Sequence, residues 1–139
     1  HKKWESIFFT PNLLKYDCFV TKESLLKVYQ VIKDSVHCEI KYHPNMQEAE
    51  RVFFEKNQSL PDHYPAELLF TNVEKYVVSV HSAVLVSASF FPGITPVSLM
   101  DLLDWKHKED RIKIKEDLIE RSNDQIIFVQ NIEDLKEYV

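Results

Sequence analysis

The stretch Tyr76-Val77-Val78-Ser79-Val80-His81-Ser82 decides the class of fold. Tyr76 to Val80 are β-branched or aromatic apart from one serine, and the run is short and uncharged, as a strand should be. It does not alternate between apolar and polar residues. A nearly continuous apolar strand belongs to a sheet covered on both faces, the usual state of parallel sheets. His81 and Ser82 end the run, and Ser82 suits the N-cap of a helix reaching to about Ala88.

The same strand-then-helix unit recurs on both sides. Upstream, residues 6–10 form an apolar run stopped by Pro11-Asn12. Thr21 then caps a helix that sets Leu25, Tyr29, Ile32 and Val36 on one face. Residues 38–42 read as a strand stopped by His43-Pro44, and a second amphipathic helix turns Met46, Ala49 and Phe53 inward. After a loop from Pro61 to Pro65, residues 66–71 make a short helix with Pro65 at its first position. Downstream, Phe90 to Gly93 turns the chain into a strand at 94–99, weakened by Pro96. Residues 101–110 are polar and irregular, 111–121 are helical, 125–129 form a further strand, and Asn131 caps a last helix to Tyr138. Alternating strands and helices imply parallel strands joined by right-handed crossovers. The expected fold is α/β: a Rossmann-like parallel sheet of about five strands with helices on both faces.

The bulk numbers agree with that reading. A chain of 139 residues, 45% hydrophobic and 28% charged, has the size and composition of one globular domain, here residues 1–139. Its net charge of −5 argues against a nucleic-acid partner, which calls for a basic face. No apolar run approaches the ~18 residues of a membrane span, and no basic-then-apolar leader opens the chain. A cytoplasmic protein is expected. His1-Lys2-Lys3-Trp4 reads as a cut within a longer protein or a cloning remnant. Cys18 and Cys38 lie 20 apart, which fits neither a metal site nor a disulfide framework, so both are expected to be reduced core thiols. The single glycine, Gly93, excludes a glycine-rich phosphate loop.

Ligands of open parallel sheets bind outside the carboxyl ends of the strands, so the residues that end each strand are the candidates. They are Thr10-Pro11, Lys41-Tyr42-His43-Pro44 and His81-Ser82, with Pro65-Ala66-Glu67 between the last two. His43 stands at a helix start, whose partial positive charge depresses an imidazole pKa while a bound phosphate raises it. A protonated His43 would donate to phosphate and stabilise it as a leaving group. Ser82 offers a hydroxyl and a helix start, or is an ordinary cap. Glu67 could accept two ribose hydroxyls, or simply complement its helix dipole. Lys41 alternates with Ile40 and on that ground faces solvent. His37, His63 and His107 read as surface or loop residues. No cluster has metal-ligand spacing.

Lys-x-His-Pro at 41–44, Pro-x-Glu at 65–67 and a serine after a β-branched strand, in that order, resemble the C-terminal half of bacterial sialyltransferases of GT-B type. The lipooligosaccharide sialyltransferases and bacterial polysialyltransferases are the nearest in character. The resemblance spans roughly residues 5 to 100, with 24 residues from His43 to Glu67 and 15 from Glu67 to Ser82. It implies a C-terminal domain that binds CMP-sialic acid, in an enzyme needing no cofactor and no metal. His43, in its His-Pro pair with Pro44, would contact the CMP phosphate and act as the acid toward the departing nucleotide. Ser82 would hydrogen-bond the same phosphate, Glu67 would hold the ribose hydroxyls, Lys41 would lie near cytosine or ribose, and Thr10-Pro11 would line the nucleotide site. The family often has two adjacent serines where this chain has His81-Ser82, which makes His81 the candidate for the second contact. The family's catalytic base, an Asp in an acidic motif, belongs to an N-terminal domain, so that domain is an expected partner. The others are a glycan acceptor and, for the full enzyme, the inner face of a bacterial cytoplasmic membrane. The alternatives are a CMP-Kdo-type transferase domain and a non-enzymatic, flavodoxin-like protein-binding module.

Overall fold

The computed structural model describes residues 4–11, 19–42, 59–60 and 66–139. They form a six-stranded parallel sheet: β1 (Trp4–Phe9), β2 (Cys38–Lys41), β3 (Ser59–Leu60), β4 (Val73–Ser79), β5 (Thr95–Ser98) and β6 (Ile127–Phe128). The helices are α1 (Lys22–Asp34), α2 (Val84–Ser89), α3 (Lys108–Arg121) and α4 (Ile132–Leu135), with tighter 3₁₀ turns at Ala66–Asn72 and Met100–Leu102. The strand order is β3-β2-β1-β4-β5-β6. This is the Rossmann order; without the two-residue edge strand β3 the remaining five strands read 2-1-3-4-5, the order of flavodoxin-like sheets.

Successive strand residues point to opposite faces. Ser6 to Phe9 and Val77 to Ser79 are buried without a break, so both faces of the central strands are covered. In-register residues of parallel neighbours share a face. Ser6 and Phe8 thus go with Cys38 and Ile40, with Tyr76 and Val78, and with Thr95 and Val97. On this face the Phe8 ring meets Tyr29 of α1 edge-on at 6.0 Å, and Tyr76 meets Tyr138, just beyond α4, at 4.9 Å. Ile7, Phe9, Lys41, Val77, Ser79 and Ser98 form the other face. The β1–β2 and β4–β5 crossovers run outward in opposite directions, so their common right-handedness puts α1 and α2 on opposite faces. α2 packs on β4, β5 and α3.

Thr21 caps α1 as its sequence position suggests. Its hydroxyl accepts from the Ser24 N–H at 3.4 Å, and Ser24 Oγ donates back to the Thr21 carbonyl at 2.9 Å. The apolar face of α1 is Leu25, Val28, Tyr29 and Ile32, all buried; Val36 is 86% exposed and does not belong to it. Ser35 leaves the helix in an extended conformation (φ −75°, ψ 141°), which breaks the 3.6-residue period one residue before Val36. The expected helix at 111–121 starts three residues earlier, at Lys108. Residues 66–72 wind as a 3₁₀ segment rather than an α-helix. β3 is a two-residue edge strand too short to leave a hydropathy signal. The expected helix carrying Met46, Ala49 and Phe53 lies outside the described residues. Among the described residues no helix is long and apolar enough to cross a membrane.

Candidate functional site

β1 and β4 are neighbours at the centre of the sheet, and the chain leaves them in opposite directions, toward β2 and toward β5. That reversal is a topological switch point, and open α/β sheets bind ligands at the carboxyl edge of such a point. Thr10-Pro11 follows β1 on one side, and Val80-His81-Ser82 follows β4 on the other. Thr10 and Pro11 are buried, while His81 and Ser82 are half-buried. The sequence-predicted residues Thr10, Pro11, Lys41, His81 and Ser82 thus share one edge of the sheet.

Buried hydroxyls hold this edge in shape. Ser79 Oγ donates to the Phe9 carbonyl at 2.9 Å and Ser98 Oγ donates to the Val80 carbonyl. The Leu99 N–H donates to the Ser79 carbonyl at 2.9 Å, and the Thr10 N–H to the Lys41 carbonyl at 3.0 Å. These bonds satisfy carbonyls beyond the regular ladder that burial would otherwise orphan. They also fix where His81 and Ser82 emerge.

Lys41 departs from expectation. It is 5% exposed, not solvent-facing, and its Nζ donates to the Tyr42 carbonyl at 3.3 Å. Alternation along β2 correctly separates Lys41 from Ile40, but the second face is also covered at this height. Ser82 caps in a different way from the one expected. Its Oγ accepts from the Val84 N–H, two residues on, at 3.2 Å, and Ala83 occupies the helix-cap position with no side-chain cap bond. This is a serine turn leading into α2. It uses a lone pair of the hydroxyl and not its proton. His43 and Pro44 lie outside the described residues. Glu67 falls in the 3₁₀ segment that leads into the amino end of β4, with its side chain outside the described part. His37 and His107 are exposed, as expected.

Two features at this edge were not anticipated. Phe19, His81 and Trp105 form a triangle of half-buried rings, with centroids 6.5 Å apart for Phe19–His81, 6.3 Å for Phe19–Trp105 and 6.5 Å for His81–Trp105. The Trp105 Nε1–H donates to the Met100 carbonyl at 2.8 Å. An antiparallel bridge joins Val20 to Trp105, with Lys106 N–H on the Phe19 carbonyl at 2.8 Å and Thr21 N–H on the Asp104 carbonyl at 2.9 Å. The rings come from segments more than 60 residues apart in places, which no local pattern reveals.

The second feature is Asp101, just past β5, whose side chain is 1% exposed. Oδ1 accepts from Arg111 Nε at 3.1 Å and from its NH2 nitrogen at 2.9 Å; Oδ2 accepts from Lys115 Nζ at 2.6 Å and Gln130 Nε2 at 2.7 Å. Burial pushes the Asp101 carboxyl up, but the donors Lys115, Gln130 and Arg111 outweigh it and hold it below its ordinary value. Lys115 also lies 4.7 Å from the centre of the Phe128 ring. The signal available in sequence is an acid inside Leu99-Met100-Asp101-Leu102-Leu103, with Arg111 and Lys115 four residues apart on one helix face.

Among the described residues no group of three or more His, Cys, Asp or Glu is placed to hold a metal ion. A groove of about 630 Å³ between α1 and α4, lined by Val31, Val36, His37, Ile132 and Val139 among others, opens at the amino end of the sheet, away from the switch point. Comparison of the chain with protein families, with curated proteins and with solved structures finds no significant match.

Proposed function

We propose that this chain is the donor-binding domain of a GT-B-type glycosyltransferase that uses a CMP-sugar, with CMP-sialic acid the first candidate. The observation that carries the reading is the reversal of chain direction between β1 and β4 in the parallel sheet, with Thr10-Pro11 and His81-Ser82 at its carboxyl edge. Fold alone hosts many functions, so the weight rests on the residue types at that edge and on the Lys-x-His-Pro, Pro-x-Glu and serine series. In the proposed reaction the bond from the sugar's anomeric carbon to a phosphate oxygen breaks, and its electron pair leaves with CMP. His43 gives its proton to the departing phosphate. Ser82 donates its hydroxyl hydrogen bond to the same group. The acceptor hydroxyl forms the new bond and loses its proton to a base supplied by the N-terminal domain.

CMP titration by calorimetry tests this on the wild-type chain and on His43→Ala and Ser82→Ala. The expected result is saturable binding that weakens in both variants. Binding unchanged by both substitutions, or none by a folded wild-type chain, would overturn the assignment.

A further inference from the structure

We infer that the Phe19–His81–Trp105 triad is the wall on which a planar ring of the ligand stacks, namely the cytosine base of the donor nucleotide. The inference rests on the proposed nucleotide-sugar reading and names the subsite for its base. Three observations lead to it. The first is place: His81 follows β4 directly and stands at the carboxyl edge of the switch point, and the strap 104–106 brings Trp105 beside it. The second is exposure. Phe8, Tyr29 and Phe70 are sealed in the core, whereas Phe19, His81 and Trp105 are each only partly buried, and their planes meet at 74°, 51° and 39°. The three rings thus pack at ordinary aromatic distances and still leave aromatic surface to a ligand. The third is anchorage. The Trp105 indole is pinned through its N–H to the Met100 carbonyl while the ring stays half-exposed, so its face is presented with little freedom left to lose.

The chemistry suits a base better than a sugar or a phosphate. Aromatic faces stack on any heterocycle with little need for hydrogen-bond readout. The nearby hydroxyl of Ser82, one residue from His81, would then serve the phosphate at the other end of the same nucleotide.

Trp4 and Trp105 are the two tryptophans, so Trp4→Phe leaves Trp105 as the sole reporter. Its emission should quench saturably with CMP and stay unchanged with ribose 5-phosphate, which carries the same sugar and charge but no base. By calorimetry Phe19→Ala should raise the CMP Kd about tenfold, within the range found when a stacking ring is removed, and leave ribose 5-phosphate binding unaltered. Trp105→Phe, which keeps a ring, should lose less. Calorimetric CMP binding with Trp105 emission unmoved and the Phe19→Ala Kd unchanged would place the base elsewhere and refute this inference while the donor-domain reading stands. No CMP binding at all by the folded chain would overturn both.

Discussion

Replacing Asp101 by Asn is the sharpest test of how the carboxyl edge is held. The amide keeps the shape of the carboxylate but has a single acceptor oxygen. Asp101 receives two bonds at each oxygen: Arg111 twice at Oδ1, Lys115 and Gln130 at Oδ2. Whichever way the amide turns, two donors face an NH₂ group. Breaking a hydrogen bond to a buried charge costs ~1.5–3 kcal/mol, and breaking a buried ion pair ~3–5 kcal/mol. Arg111 and Lys115 keep 37% and 29% of their side-chain exposure, so both recover part of their hydration. A net loss of about 2–4 kcal/mol follows. Urea denaturation followed by circular dichroism should show the midpoint falling by about 1–2 M, given a slope near 2 kcal/mol per molar. The pH dependence fixes the cause. The folded carboxyl lies below its unfolded value of 3.8, so its stabilisation is fully present above pH 3.8 and is lost as pH falls through the folded value. The gap between wild type and Asp101→Asn should therefore be constant from pH 5 to 7 and narrow in acid below 3.8. A gap under ~1 kcal/mol at pH 7, or one that does not narrow in acid, would refute the reasoning.

Two further predictions concern the core. Burial pushes the Cys38 thiol up to about 12, so in a Cys18→Ser background it should not react with a thiol reagent at pH 8 unless denaturant is added; prompt reaction of the native chain would contradict its burial. Ile32→Ala should cost about 2–5 kcal/mol by urea titration because Ile32 is fully buried, whereas Val36→Asp, at an 86% exposed position, should stay within ~0.5 kcal/mol of wild type. Equal losses would mean that α1 continues past Asp34.

Much of the fold is written locally. Val77 and Val78 announce a two-sided strand, and Thr21 announces a cap. What failed depends on neighbours distant in sequence. Val36 keeps the helical spacing of Leu25, Tyr29 and Ile32, but the turn at Ser35 cancels it. Lys41 alternates correctly along β2, yet alternation cannot say whether the second face is covered at that height. Asp101 finds its partners 10, 14 and 29 residues away, and Phe19 meets Trp105 only because α1 and the 104–106 strap share the carboxyl edge. The Asp101 contacts could be suspected from an acid in an apolar run. The aromatic triangle carries no comparable local sign.

The use of left-handed backbone bears on how the proposed site would be built. Gly93 spends its freedom at φ +84° in the turn before β5, and the other described left-handed positions are filled by Asn123 and Asp124. No glycine remains for the β1 turn, where a Rossmann sheet ordinarily brings bare backbone against a phosphate. In its place stand Thr10 and Pro11, both buried, and Pro11 has no N–H to offer. In the proposed donor-domain reading, the phosphate contact at this edge is assigned to a side chain beyond β4. Ser82 is suited to it, because the Val84 N–H occupies an acceptor position of its hydroxyl and leaves the proton to donate. Its position is set in turn by Ser98, whose hydroxyl holds the Val80 carbonyl two residues earlier. Side-chain donors tolerate substitution less well than a glycine loop's repeated backbone amides, since each can be deleted singly. For this reason the single substitution Ser82→Ala is a stronger test here than it would be in a glycine-rich nucleotide site.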